Sequence, residues 1–325
     1  MTMHVDIPFV DRVKELNVLL SLARRGRYLP LYIYGPEGCG KTRLLIEFAS
    51  KLKELEDYLV VYIDALSSTS ISSSLIFTSS RIVNYIKVFL ENVNPPLGRF
   101  LALSLDKLIE YIEGKITLRG RHVVLLIDDV ATPIGLDKVS WYVKYLQELG
   151  ETILSKYRVK SILIIATTSE GKSFDHIRRH SYADIRLLWN LDKRAALELM
   201  KKLNICNGAL WSITGGNPRA IIEIVRDYEG NVNEWVNKIL KLRVKPLISI
   251  VRSKGLVDQL RRVCKDIDLL VELHELRDIL INENMVLYID SPMLGEKLKR
   301  DEAIGIGELY AWQLPVFKDL ISKYL

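Results

Sequence analysis

Residues 35–43 read Gly-Pro-Glu-Gly-Cys-Gly-Lys-Thr-Arg, a spacing suited to holding phosphate. Glycines at 35, 38 and 40 let main-chain N–H groups converge on anionic oxygens with no Cβ in the way. Lys41 adds a point charge toward terminal phosphates, and the Thr42 hydroxyl can hold Mg²⁺. Such a loop carries meaning only between a strand and a helix. Both are expected here: Leu31 to Tyr34 is a short apolar run, and residues 43–49 open a helical pattern whose positive N-terminal end faces the same anion. The candidate cradle is therefore Gly35, Pro36, Glu37, Gly38, Cys39, Gly40, Lys41, Thr42 and Arg43, with the amides of Gly38 to Lys41 on a β-phosphate. Cys39 reads as no more than a small loop residue.

A second stretch, His122-Val123-Val124-Leu125-Leu126-Ile127-Asp128-Asp129, pairs with the first. Its continuous apolar run fits a central parallel strand buried on both faces. Acids at the carboxyl end of such a strand stand where open α/β sheets place ligands. Asp128 is the candidate to position Mg²⁺ with Thr42, and Asp129 to orient or deprotonate an attacking water. Lys41, Asp128 and Asp129 form the candidate catalytic set. Thr167 and Thr168 end the next apolar run; they either sense a terminal phosphate through a hydroxyl or simply close a strand.

Arg219 follows Gly215-Gly216-Asn217-Pro218, where Asn217 is a good N-cap and Pro218 a good first helical residue. It reaches the nucleotide if the helical segment folds over the core; otherwise it faces water. Arg178 and Arg179 read as a solvated basic loop, with a finger acting on a neighbouring copy as the alternative. His176 and His180 could share a helix face, but a metal centre needs a third ligand and no nearby Cys or third His supplies one.

The elements that must position these groups follow from periodicity. A helix with Leu16, Leu19, Leu20 and Ala23 on one stripe precedes the loop and ends near Gly26. Strands are expected at 58–63, 161–166 and 183–188, with a helix over 138–156. The Ser/Thr-rich stretch 67–80 favours a helix start through Ile71, Leu75 and Ile76; helices follow across 81–91 and 101–115, broken by a turn at 94–98. The β pattern stops after Leu191. Helices then run to 245, and further helices near 256–264 and 272–282 precede a two-strand ribbon, an order that suggests a winged helix. The expected division is an α/β core at 1–190, a helical segment at 191–245 and a winged helix at 246–325.

With 325 residues, 49% apolar and 26% charged, the chain is an ordinary folded, multidomain composition. It has no apolar run long enough to span a bilayer and no secretion signal, so a cytoplasmic location without membrane contact is expected. Three scattered cysteines argue against a disulfide framework. Residues 1–190 carry 25 Lys and Arg against 21 Asp and Glu, 191–245 carry 10 against 6, and 246–325 carry 11 against 13. The C-terminal segment is thus slightly acidic, which weighs against phosphate contacts to DNA there.

The ordered set Phe9-Val10-Asp11-Arg12, Gly35 to Thr42, Leu126-Ile127-Asp128-Asp129, Gly215 to Arg219 and Tyr310-Ala311-Trp312-Gln313-Leu314-Pro315 resembles the archaeal ATPase family. That family belongs to the signal-transduction ATPases related to AAA+ proteins. The resemblance implies an α/β P-loop NTPase core with a parallel sheet, a helical lid and a C-terminal winged helix. It also implies ATP rather than GTP, with Val10 beside adenine and Pro218 against the base or ribose. The expected function is Mg²⁺-dependent ATP binding with slow hydrolysis, acting as a conformational switch. The rivals are a nucleotide-dependent DNA-binding initiator or regulator, and a scaffold that holds nucleotide without turnover. Expected partners are ATP and ADP, with a protein or DNA at the winged helix; the sequence leaves the oligomeric state open.

Overall fold

The computed structural model describes residues 8–66, 75–77, 103–169, 171–205 and 207–325. The expected helix over 81–91, the turn at 94–98 and Cys206 lie outside the described residues.

Six strands, β1 (Leu31–Tyr34), β2 (Tyr58–Asp64), β3 (Leu75–Phe77), β4 (His122–Asp128), β5 (Ser161–Thr168) and β6 (Asp184–Leu187), form one sheet in the order β3-β2-β4-β5-β1-β6. All are parallel except β3. The central strands are near-continuous Val, Ile and Leu runs because both faces are covered. On one face α1 (Val13–Arg25) and α2 (Lys41–Lys53) pack Leu19, Leu22, Leu45 and Phe48 against Ile33, Val60, Leu126 and Leu163. On the other, α3 (Leu105–Glu113) and α4 (Val139–Tyr157) pack Leu108, Ile112, Tyr142 and Leu146 against Val61, Leu125 and Ile164.

One expectation is overturned here. Leu75–Phe77 forms a strand rather than opening a helix, and pairs antiparallel with β2 through Val61↔Phe77, Tyr62↔Ile76 and Ile63↔Leu75. Ser and Thr compete with helical backbone bonds. The free edge of β2, by contrast, offers a row of donors and acceptors that need partners.

After β6 the chain leaves the sheet. Helices α5 (Gly171–Arg178, before β6), α6 (Lys193–Lys202), α7 (Ala209–Thr214), α8 (Pro218–Arg226) and α9 (Val232–Ile239) are followed by a π-helical turn, Leu240–Val244, that runs straight into α10 (Lys245–Ser253). The widened turn accommodates Pro246, which has no N–H to donate to the preceding turn. The expected division at 245/246 therefore falls inside a continuous helical run. The remainder is α11 (Val257–Lys265), α12 (His274–Asn282), an antiparallel ribbon of β7 (Val286–Tyr288) and β8 (Tyr310–Trp312), and α13 (Pro315–Tyr324). Residues 191–325 share one apolar core in which Leu199, Ile221 and Ile224 meet Leu247, Leu260, Leu280, Trp312 and Phe317. This body also seals the outer edge of β6. Leu187 N–H donates to Pro292 O and Leu294 N–H to Leu187 O, both at 2.9 Å. Among the described residues no helix is long and apolar enough to cross a membrane.

Candidate nucleotide site

The loop between β1 and α2 is held in the shape that its glycines permit. Gly38 and Gly40 sit at φ +81° and +101°, a region that side chains disfavour. A Cβ on Gly38 would lie 2.5 Å from Arg219 Cβ, whereas one on Gly40 would project into open space. Lys41 is 5% exposed, and its ammonium donates to Gly35 O at 2.9 Å and Pro36 O at 3.0 Å. Thr42 and Arg43 are exposed at the start of α2. Arg43 pairs with Glu47 at 2.8 Å and lies 6.0 Å from the Phe9 ring centroid. The Cys39 thiol is fully buried and directed at Leu188 O, 3.4 Å away.

Arg12 clamps this loop from behind. Its guanidinium donates to Cys39 O at 3.0 Å, Trp189 O at 2.6 Å and Glu15 Oε1 at 3.0 Å. Val10, expected beside a base, is buried against the 191–325 core with Leu191 and Ala195 as members of the same cluster.

Register brings the acids to the same end of the sheet. Ile127 pairs with Ala166, so Asp128 stands beside Thr167 at the strand ends. Tyr62 Oη donates to Asp128 Oδ2 at 3.0 Å, and the Thr167 hydroxyl donates to Asp128 Oδ1. The same hydroxyl accepts the Asp129 N–H at 2.9 Å. Asp129 turns out of the strand at φ +47°, and its Oδ1 accepts from Ser169 Oγ at 2.9 Å. Burial, then the neighbouring Asp128 carboxylate, push the Asp129 carboxyl above its usual range, while Lys41 and Arg219 pull it down. Thr167 thus stands between the two acids, and Thr168 Oγ1 lies 2.6 Å from Ser173 Oγ.

The third wall comes from the 191–325 body. Arg219 donates through Nη1 to Glu37 Oε1 at 2.6 Å, and its N–H approaches Gly38 O at 3.3 Å. Asn217 caps α8 by accepting the Ala220 N–H at 3.1 Å, and its Nδ2 donates to Glu37 O at 2.8 Å and Asn190 Oδ1 at 2.9 Å. Pro218, the first residue of α8, is half-buried. Gln313, just past β8, accepts the Glu37 N–H at 3.1 Å, and its own carbonyl accepts from Asn190 Nδ2 at 3.0 Å. Gln313 Nε2 is buried without a partner.

Sequence reasoning missed Gln313, Asn190 and Tyr62 and gave Asn217 only a capping role. Gln313 stood in the 310–315 stretch that carries the family resemblance and is a polar residue inside the apolar run 309–317, but neither signal gave it a role at the site. The remaining basic and histidine candidates do not join the site. Arg178 pairs with Asp175 at 2.6 Å, Arg179 is exposed, and His180 lies past the end of the helix that holds His176.

Main-chain N–H groups at a helix start and a buried ammonium are donors for a phosphate chain, and the hydroxyl and carboxylate oxygens at the same sheet end are acceptors that face a cation or a water beside it. Thr42 and Asp128 offer the hard oxygen ligands that Mg²⁺ takes. Fold and loop together define a P-loop nucleotide-binding protein with a parallel α/β core. The chain belongs to the archaeal ATPase family: an ATPase domain found predominantly in Archaea matches residues 9–224. A relative described as an uncharacterized ATP-binding protein of Pyrococcus abyssi is 24% identical over 286 residues, spanning 82% of this chain and 83% of its own. Another so described, from Methanocaldococcus jannaschii, is 22% identical over 322 residues, spanning 85% and 87%. Among solved structures, the Aeropyrum pernix ORC2 protein in ADPNP–ADP complexes aligns over 98% of this chain and 94% of its own, at 15% identity and a TM-score of 0.47.

Proposed function

We propose that this protein binds ATP with Mg²⁺, hydrolyses it slowly, and uses the cycle as a conformational switch. The observation that carries the reading is the threefold tether on Glu37 in the phosphate loop. Its carbonyl and carboxylate meet Asn217 and Arg219, and its amide meets Gln313, so nucleotide chemistry at the loop is read directly by the 191–325 body.

In this reading the amides of Gly38 to Lys41 hold the β-phosphate. Lys41 exchanges its two carbonyl acceptors for β- and γ-oxygens. Thr42 and Asp128 hold Mg²⁺, which when bound neutralises charge on the phosphate oxygens. Thr167 and Tyr62 fix the Asp128 carboxylate. Asp129, less acidic than a free carboxyl, accepts a proton from the attacking water more readily. Val10 and Pro218 flank the base, and Arg219 meets the terminal phosphate after leaving Glu37. The lid at 191–245 and the winged helix at 246–325 share a core and a helix, which supports their moving as one body.

The test is ATP affinity and single-turnover phosphate release for three proteins. Wild type should bind ATP and release phosphate slowly. Lys41→Ala should lose about 100-fold or more in affinity, since it removes a charged hydrogen-bonding partner. Asp129→Asn should bind normally and release none. Wild type that holds ATP tightly yet releases no phosphate is the scaffold instead.

A further inference from the structure

Where α5 meets α12 and the β7–β8 ribbon, the chain encloses a second cavity of about 310 Å³. Four aromatic rings wall it in sequence. Tyr34 and Phe174 have centroids 4.6 Å apart, Phe174 and Tyr288 5.5 Å, and Tyr288 and Tyr310 5.4 Å. Tyr34 is fixed in that wall by donating its hydroxyl to Tyr288 O at 3.1 Å. Two guanidiniums, Arg178 and Arg277, line the same space, with Asp175 as the lining carboxylate. Arg178 spends its Nε on Asp175 at 2.6 Å. Arg277 directs Nε and Nη2 to Asp278 Oδ1 at 3.1 and 3.0 Å, and Nη1 to His274 Nδ1 at 3.0 Å. Each guanidinium fork has five N–H donors, so both keep donor capacity beyond these contacts.

The composition selects a ligand class. Flat ring faces favour a flat apolar body, and arginine in particular stacks on rings and pairs bidentately with carboxylates. Each guanidinium is already paired with one carboxylate, Arg178 with Asp175 and Arg277 with Asp278, so what the two forks offer a guest is their remaining N–H donors, which suit an acceptor and not a cation. The volume is that of roughly ten waters and stands at the lower bound of small-molecule sites, which favour boundaries between domains. We infer that this cavity is a binding site for a small planar aromatic carboxylate, distinct from the phosphate loop. Its walls come from both bodies: Tyr34 and α5 from the sheet core, α12 and the ribbon from the C-terminal body. A guest there ties the two together one residue away from Gly35, the first residue of the loop. It therefore acts as an effector of the switch proposed above, although its binding does not depend on that reading.

The test is equilibrium dialysis of the full chain against 1-naphthoate, with and without saturating Mg-ADP. One naphthoate per chain should bind, with an affinity that ADP does not compete away. The uncharged isostere 1-naphthalenemethanol should bind about tenfold more weakly, and so should naphthoate to Arg277→Gln, each losing a charge-assisted contact. Arg178→Gln, at an exposed position, gives the same comparison if Arg277→Gln fails to fold. Lys41→Ala should bind naphthoate like wild type, which separates failure of this inference from failure of the nucleotide reading. The inference is overturned by no binding at millimolar naphthoate, by equal affinity for the alcohol, by both arginine variants binding like wild type, or by displacement with ADP.

Discussion

The main-chain N–H of Glu37 donates to Gln313 Oε1 at 3.1 Å, joining residues 276 positions apart. One belongs to the phosphate loop and the other to the segment between the ribbon and α13. In the switch reading this bond reports loop geometry to the C-terminal body. Gln313→Leu removes the acceptor, and also removes the buried Nε2 that has no partner, so stability should change by about 1 kcal/mol or less. ADP affinity should stay within about threefold of wild type. Hydrogen exchange across 310–324 should respond to ADP in wild type and stop responding in the variant. A response of equal size in both would remove Gln313 from the coupling.

In the proposed cycle Asp129 makes stability and activity pull in opposite directions. Its carboxyl is pushed up by burial and by Asp128, so the native state binds that proton more tightly than the unfolded chain does. Stability contributed by this group is present while it is protonated. It falls as pH rises from the ordinary Asp range, about 4, through the raised native value, and does not return at neutral pH. Asparagine cannot ionise, and it tolerates the left-handed backbone at φ +47°. Asp129→Asn should therefore raise Tm at pH 7 while abolishing phosphate release. The Tm gap should shrink as pH falls toward the ordinary Asp range. Calorimetric melts across pH 4 to 8 check this, and a lowered Tm at pH 7 would contradict it.

Thr167 is a bridge between the two acids rather than an exposed strand end. Its hydroxyl gives a hydrogen bond to Asp128 and takes one from the Asp129 amide at 2.9 Å. Thr167→Val keeps the shape and leaves both groups short of a partner in a buried setting. Chemical denaturation should show a loss of about 1–3 kcal/mol. Single-turnover phosphate release should slow as well, because Asp128 loses one of the two hydroxyls that fix it.

Arg219 should behave the opposite way. Its ion pair with Glu37 is exposed, with side-chain exposures of 63% and 47%. Such pairs contribute from nothing to about 1 kcal/mol. Arg219→Ala should therefore leave Tm almost unchanged while slowing turnover, if the side chain meets the terminal phosphate in the working state. A variant with wild-type turnover would reduce Arg219 to a surface contact.

What the sequence made legible was whatever depends on short-range pattern. The runs ending in Tyr34, Asp64, Asp128 and Thr168 were legible as strands because each is a short apolar, β-branched or aromatic block closed by a glycine or a polar residue, and length and flanking breakers mark such blocks. The phosphate loop was legible for the same reason: its glycines, lysine and threonine are adjacent. Leu75–Phe77 was misread because its state is set by the free edge of β2, which local propensity does not contain. Gln313, Asn190 and Tyr62 were invisible as site residues because no spacing rule links them to Glu37 or Asp128; only the closed fold does. The division at 245/246 was drawn on the order of expected helices and ribbon, while the helical run through it packs into a core that element order does not display.

Residues 292–294 occupy the outer N–H and C=O of Leu187 at the margin of the sheet. A swing of the C-terminal body large enough to free Glu37 also peels this strip away and leaves a strand with unmatched donors and acceptors. Bare margins of that kind recruit other chains. In the proposed switch, unlocking the molecule and making it adhesive are then a single event, so its tendency to assemble would track the state of the phosphate loop.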